Sequence, residues 1–386
     1  MTSDPVRFSV IIPVYNGDGD LLVAAARSVL AQGPVLERLI IVDDGSTAET
    51  TRAALRKLAA LPRVQVITLP TNQGVSAARN AGIDAAPSPW IGLCDADDLM
   101  APGWLDTAAA AIPRYPQAQM VLGRRVVMWK DGAIAGEQTM VRALGRQFDQ
   151  DGTALHSGPE FVRTQIGTLI GHICAILVTK ALAQRVGGFN TKLAFFEDWL
   201  FRFRCCALTA MIELDTLAYV YRRGLPSVTT SARSLSEDWV RGWSIARKCP
   251  LLKDYRRELR WAEYSARKAL TLRNLYRGNK LQALRFALSA LAIDPREIKD
   301  FLAFLRLMRL PPELLVTEGQ GYSRMPVDER LMLSDELAVD AVDLLQRAGL
   351  STPLRADAAE PWEIKDAAPS TNPQQIEALP SALRSS

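Results

Sequence analysis

Four short apolar runs rich in β-branched residues begin at positions 8, 39, 64 and 90: Phe8–Ile12, Leu39–Val42, Val64–Leu69 and Trp90–Leu93. Continuous runs of this kind, without polar alternation, suit strands buried on both faces. Between them lie segments of helical periodicity, Leu21–Ala31, Thr51–Ala60 and Val75–Ala85; the first carries Leu22, Ala26, Val29 and Leu30 at 3–4 spacing. Strand and helix in alternation is the rhythm of right-handed βαβ units and predicts an α/β fold with a parallel sheet. Such a sheet places ligands at the carboxyl ends of its strands, so the polar residues after each run are where chemistry belongs.

Composition narrows that chemistry. The chain has 386 residues, and its 46 Lys plus Arg against 42 Asp plus Glu leave a net charge of +4, too little to call for nucleic acid. Two histidines, His156 and His172, and five cysteines without a C-x-x-C pair exclude a zinc finger or ribbon. Any metal should therefore be a hard cation on carboxylates, Mg²⁺ or Mn²⁺. The cysteines lie in or beside apolar segments and read as buried, reduced thiols of a cytoplasmic protein. Nothing near Met1 resembles a targeting signal, and the longest apolar stretch, Ile166–Val178, is broken by Gly167, Thr168, Gly171 and His172. No membrane span is expected.

Taken in order, the strand ends deliver Pro13-Val14-Tyr15-Asn16, then Asp43-Asp44-Gly45-Ser46-Thr47, then Asn72-Gln73-Gly74 with Ala78-Arg79-Asn80, then Asp95-Ala96-Asp97-Asp98. An aromatic, a carboxylate pair, an amide–arginine–amide set and a carboxylate triplet on one edge suit a nucleoside diphosphate. A carboxylate takes the imide N–H of a uracil, an aromatic covers the base, and an arginine meets phosphate. The triplet needs a divalent cation between itself and phosphate. Three D-x-D matches occur. Asp18-Gly19-Asp20 reads as a helix N-cap and Asp149-Gln150-Asp151 as a polar loop. Asp95-Ala96-Asp97 ends a buried strand, where carboxylates repel one another unless a cation sits among them.

These blocks, with Val186-Gly187-Gly188-Phe189 and Phe196-Glu197-Asp198-Trp199 followed by Arg202 and Arg204, resemble the glycosyltransferase family 2 catalytic domain over roughly residues 7–230. The resemblance implies a GT-A fold, Rossmann-like and built for nucleotide-diphospho-sugars. It also implies inverting transfer from a nucleotide sugar, usually of UDP, with Mn²⁺ or Mg²⁺. Carried over residue by residue, Asp44 matches the base-binding carboxylate, with Pro13 and Tyr15 lining its pocket; Asn72 and Arg79, from the strand-end set, are the further candidates for binding the donor. Asp95 matches the D-x-D acid near ribose and donor sugar, Asp97 the metal ligand, and Asp198 the general base, since inversion needs one carboxylate to take the acceptor's proton. One departure stands out: the Tyr-Arg-x-His block reads Tyr221-Arg222-Arg223-Gly224, with glycine where the family often carries a metal-binding His. The expected acceptor is a hydroxyl of a glycan, lipid-linked or protein substrate, in surface polysaccharide, lipid or protein glycosylation. A dinucleotide-dependent dehydrogenase would need G-x-G-x-x-G after the first strand, which is absent. An inactive sugar-nucleotide-binding scaffold is the non-enzymatic alternative.

The expected organisation is a catalytic domain over 1–230, a smaller basic helical region over 231–350 and a disordered tail over 351–386. A hairpin is expected at Met120–Trp129 and Ala133–Ile134 with its turn at Asp131-Gly132. Helices run from Glu237 to Ala292 with breaks near Pro250 and Gly278. Residues 253–309 hold fourteen Lys or Arg against six Asp or Glu. That face is either solvated and packed on the catalytic domain, or it docks at the inner face of the cell membrane near a lipid-linked acceptor.

Overall fold

The computed structural model describes residues 5–129, 134–136, 139–223, 235–309 and 347. Its first half follows the expected alternation: β1 (Phe8–Val14), α1 (Gly19–Leu30), β2 (Leu36–Asp43), α2 (Glu49–Ala59), β3 (Val64–Thr68), α3 (Val75–Ala85) and β4 (Trp90–Leu93). Strands β3, β2, β1 and β4 lie side by side and parallel. Every residue of β1 and β4 is buried, as unbroken apolar runs require.

Beyond β4 the sheet turns mixed. Short β5 (Leu99–Met100) and α4 (Trp104–Ala111) lead to β6 (Ala118–Trp129), β7 (Ile134–Gly136), α5 (Met140–Ala143), β8 (Thr153–His156) and α6 (Gly158–Thr168). Then come β9 (Ile176–Thr179), α7 (Lys180–Arg185), α8 (Glu197–Cys206) and β10 (Ala210–Arg223). The main order is β3-β2-β1-β4-β9-β6-β10-β5, with β7 on β6 and β8 on β10. Strand β9 is antiparallel to both β4 and β6, so the sheet is not parallel throughout. β6 and β7 form the expected antiparallel pair; the turn at 131–132 lies outside the described residues.

Helices α9 (Leu235–Lys248), α10 (Arg256–Tyr276), α11 (Lys280–Ile293) and α12 (Ile298–Leu307) follow, with a 3₁₀ segment at Pro250–Tyr255 and Gly278 at the other break. Trp243, Ala246, Leu259 and Ala266 join the main core, whereas Leu275, Ala283, Ala287 and Phe304 form a cluster of their own. The tail expected over 351–386, and most of 310–350, lie outside the described residues. All five cysteines are free thiols, four of them buried. No described helix is long and apolar enough to cross a membrane.

Candidate active site

The strand-end loops are tied together before any ligand arrives. Asn16, in the left-handed region at φ 48°, accepts through Oδ1 from the Thr47 and Ala48 amides at 2.7 and 2.8 Å. Its own amide donates to Ser46 Oγ at 2.9 Å. Asp44, buried, accepts from the Gln73 amide at 2.7 Å and the Gly74 amide at 2.8 Å, one on each carboxylate oxygen. The loops after β1, β2 and β3 thus share one frame. Gly45 permits it: at φ +76° a Cβ there would lie 2.8 Å from the Thr71 carbonyl carbon. Tyr15 stands 48% exposed at the rim, Pro13 is buried within β1, and Asn72 is exposed and accepts from the Gly74 amide at 3.1 Å.

Arg79 is the centre of the arrangement, and it does not face open space as a phosphate clamp would. Held on α3 and buried, its guanidinium donates to Glu197 Oε1 at 2.8 Å and to Asp95 Oδ1 at 3.1 Å, with the Phe189 ring 5.3 Å away. Burial opposes its charge, but Asp95 and Glu197 more than offset that and hold it above its ordinary value. Asp95 of the D-x-D and Glu197 of the Glu-Asp pair are therefore a guanidinium's width apart. Asn80, the next residue, fixes the Gly-Gly-Phe loop: its Oδ1 accepts from the Phe189 amide at 2.7 Å and its Nδ2 donates to the Phe189 carbonyl at 2.9 Å.

The acidic triplet divides its labour. Asp98 is fully buried and turned toward β10, accepting from the Tyr219 hydroxyl at 2.5 Å and the Arg222 amide at 2.7 Å. Burial, with Asp97 beside it, pushes its carboxyl well above the usual range. Asp97 is half-buried, its pKa raised to about 6 by burial and by Asp95. Two carboxylates that repel each other in a partly desolvated position suit a hard divalent cation. Among the described residues no three His, Cys, Asp or Glu side chains converge as a metal cage. Asp95 and Asp97 offer two carboxylates, the kind of donor set that Mg²⁺ or Mn²⁺ takes together with phosphate oxygens.

Asp198 opens α8. Its Oδ1 accepts from the Trp199 amide at 2.7 Å, and Phe196, at φ 78°, makes the sharp entry into the helix. Glu197 is buried, its pKa raised to about 7 by burial and by Asp198. Arg202 and Arg204 serve the scaffold: the first donates to the Ile170 and Gly171 carbonyls, the second to those of Val186 and Gly188. Asp18 caps α1 and Asp149 closes a turn onto the Asp151 and Thr153 amides, as those two D-x-D matches predict. His172 lies between Tyr219 and Tyr221, ring centroids 5.2 and 5.3 Å away, and burial holds it well below the ordinary histidine range. Gly224 is outside the described residues. Sequence reasoning missed Glu197 as the Arg79 partner and Tyr219 as the anchor of Asp98; no local signal marks either.

The first half of the chain is similar to known proteins. Residues 9–174 match the model of Glycosyl transferase family 2. The succinoglycan biosynthesis protein ExoO of Rhizobium meliloti is 41% identical over 92 residues, 24% of this chain and 26% of that protein. A PGL/p-HBAD biosynthesis glycosyltransferase of Mycobacterium bovis is 27% identical over 208 residues, 53% of this chain and 72% of its own length. The chain thus spans about a quarter of ExoO and most of the mycobacterial protein. Among solved structures, S. aureus TarS 1-349 in complex with UDP-GlcNAc superposes with TM-score 0.55 at 18% identity, covering 78% of this chain and 90% of that one. The GT-A fold is shared.

Proposed function

We propose, on the premise that residues 9–174 belong to glycosyl transferase family 2, that this chain moves a sugar from a UDP-sugar to an acceptor hydroxyl in polysaccharide biosynthesis, with inversion. One observation carries the reading: Arg79 joins Asp95 to Glu197, and so sets the donor acids beside Asp198. That juxtaposition is what a single in-line displacement needs, with the leaving group on one side and a proton acceptor on the other. The UDP-GlcNAc held by the TarS structure and the succinoglycan role in ExoO's name support the donor and pathway class.

In the reaction, Tyr15 covers the base and the Asp44 frame positions it. The acceptor oxygen attacks the anomeric carbon as Asp198 takes its proton, and the bond from that carbon to the diphosphate oxygen breaks with its electron pair leaving on UDP. Asp97, with Asp95, would hold Mn²⁺ or Mg²⁺, which neutralises the diphosphate when bound. Arg79 keeps Asp95 oriented and compensates Glu197.

The test is UDP release from a panel of UDP-sugars with Mn²⁺, alongside thermal unfolding with UDP, GDP and dTDP. UDP stabilisation that requires Mn²⁺, together with sugar-dependent UDP release, is the expected result. Absence of any nucleotide effect would overturn the reading.

A further inference from the structure

The C-terminal helices divide into a face that is already packed and one that is not. On α10, Leu259 and Ala266 sit in the main core, and Glu258 pairs with Arg163 of α6 at 2.9 Å. Buried Glu263 takes Arg247 at 2.6 Å and Arg267 at 2.7 Å. Both acids of α10 are thus taken up by arginines of α6, α9 and α10 itself, which fix the helix to the catalytic half.

Helices α11 and α12 differ. They run antiparallel, the Lys280 ammonium at the start of α11 donating to the Met308 carbonyl at the end of α12 at 3.0 Å. Leu284 and Leu305 pack on the shared cluster of Leu275, Ala283, Ala287 and Phe304. Next to Leu284 at helical spacing stand Leu281 and Leu288, 84% and 51% exposed. Next to Leu305 on α12 stand Ile298 and Leu302, 44% and 49% exposed. Leu281 and Leu288 are seven apart and Ile298 and Leu302 four apart, so each pair lies on one side of its helix. With Leu284 and Leu305 both turned into the common cluster, the two exposed pairs flank the same seam.

The charges around this face have one sign. Between Arg277 and Arg309 every exposed charged residue is basic: Arg277, Lys280, Arg285, Arg296, Lys299, Arg306 and Arg309. The three acids of the segment are buried or half-buried, Asp294 paired with Arg296 at 2.6 Å and Asp300 with Lys268 at 2.5 Å, while Glu297 is half-buried. Exposed large aliphatics ringed by Arg and Lys, with the acids withdrawn, are the makeup of an interfacial surface: the leucines enter the acyl boundary and the cations meet headgroup phosphates. A protein partner would have to match the cations with acids and the aliphatics with apolar groups of its own; an anionic bilayer supplies both along any part of its surface.

We infer that the outer face of α11 and α12, centred on Leu281, Leu288, Ile298 and Leu302, docks the protein on an anionic lipid bilayer. The catalytic domain is then held at a surface, independently of which sugar it transfers.

The test is sedimentation of the full chain with phosphatidylcholine vesicles, with and without about 30% phosphatidylglycerol. Binding should appear on the anionic vesicles and be at least about tenfold weaker on neutral ones, falling further with added salt. The double variant Leu281→Gln/Leu302→Gln should bind at least about tenfold more weakly than wild type with its unfolding transition little changed, since Leu281 is 84% and Leu302 49% exposed. The charge variant Arg285→Glu/Arg306→Glu should lose the anionic preference. Equal pelleting with both vesicle types, or unaltered binding by the leucine variant, overturns the inference. A self-association in solution that the leucine variant abolishes, without lipid binding, assigns the face to a second copy of the chain and equally overturns it.

Discussion

Arg79 and Glu197 are 118 positions apart in the chain and meet at 2.8 Å, Nη1 to Oε1, with both side chains almost wholly buried. Removing Arg79 takes the shared donor from two carboxylates, and Glu197, with its raised pKa, answers by holding a proton. Arg79→Met should cost about 1–3 kcal/mol of unfolding free energy. Arg79→Lys, which keeps the charge but not the fork, should cost less while still releasing one of the two carboxylates. Urea unfolding of the two variants checks this; equal stability to wild type for Arg79→Met would show the clamp to be dispensable.

Asp97 and Asp98 are neighbours with opposite assignments. Asp97→Asn should unfold as wild type does but lose the Mn²⁺-dependent stabilisation by UDP, about 2.7 kcal/mol at a hundredfold excess over the dissociation constant. Tyr219→Phe, which leaves buried Asp98 short of a donor, should lower stability by about 1–3 kcal/mol. Thermal scans with and without UDP and Mn²⁺ separate these effects.

Asp198→Asn should retain nucleotide binding and lose transfer, with kcat falling by about 10²–10⁴. Parallel measurement of UDP binding and sugar transfer tests the role. A variant that transfers at the wild-type rate excludes Asp198 as the base.

Glu197 makes a pH prediction. Its pKa rises from 4.5 to about 7 on folding, so between those values the folded chain binds more protons than the unfolded one. Its contribution to stability is complete below pH 4.5 and is lost as the pH rises through about 7. The melting temperature should fall across that window, and Glu197→Gln should flatten the fall. An identical slope in the variant would assign the effect to other carboxylates.

The frame of the site was legible because it is local. The ends of β1 to β4 follow from continuous apolar runs, and the helices between them from 3–4 spacing; observed bounds differ by a few residues at most for α1, α2 and α3. Asp18 as an N-cap was readable for the same reason. What escaped depends on distant pairing. Nothing near Arg79 announces Glu197, and Tyr219 reaches Asp98 only because β10 pairs antiparallel with the short β5 that follows Asp98, Tyr219 opposite Met100. Strand β9 itself was hidden in a stretch interrupted by glycines, and the antiparallel turn of the sheet there had no periodic signature.

The frame made by Asn16 and Asp44 has a consequence for how such a site changes over evolutionary time. Ala48, Gln73 and Gly74 contribute backbone amides to it, whereas Thr47 adds its hydroxyl to its amide and Ser46 its Oγ. Amides are supplied by almost any residue, so Ala48 and Gln73 can drift without loosening the loops they stand on. A few anchoring side chains, Asn16 and Asp44 foremost, carry the architecture, leaving those positions open to substitution. A cradle organised in this way can be retuned toward a new donor one residue at a time while its geometry is inherited intact.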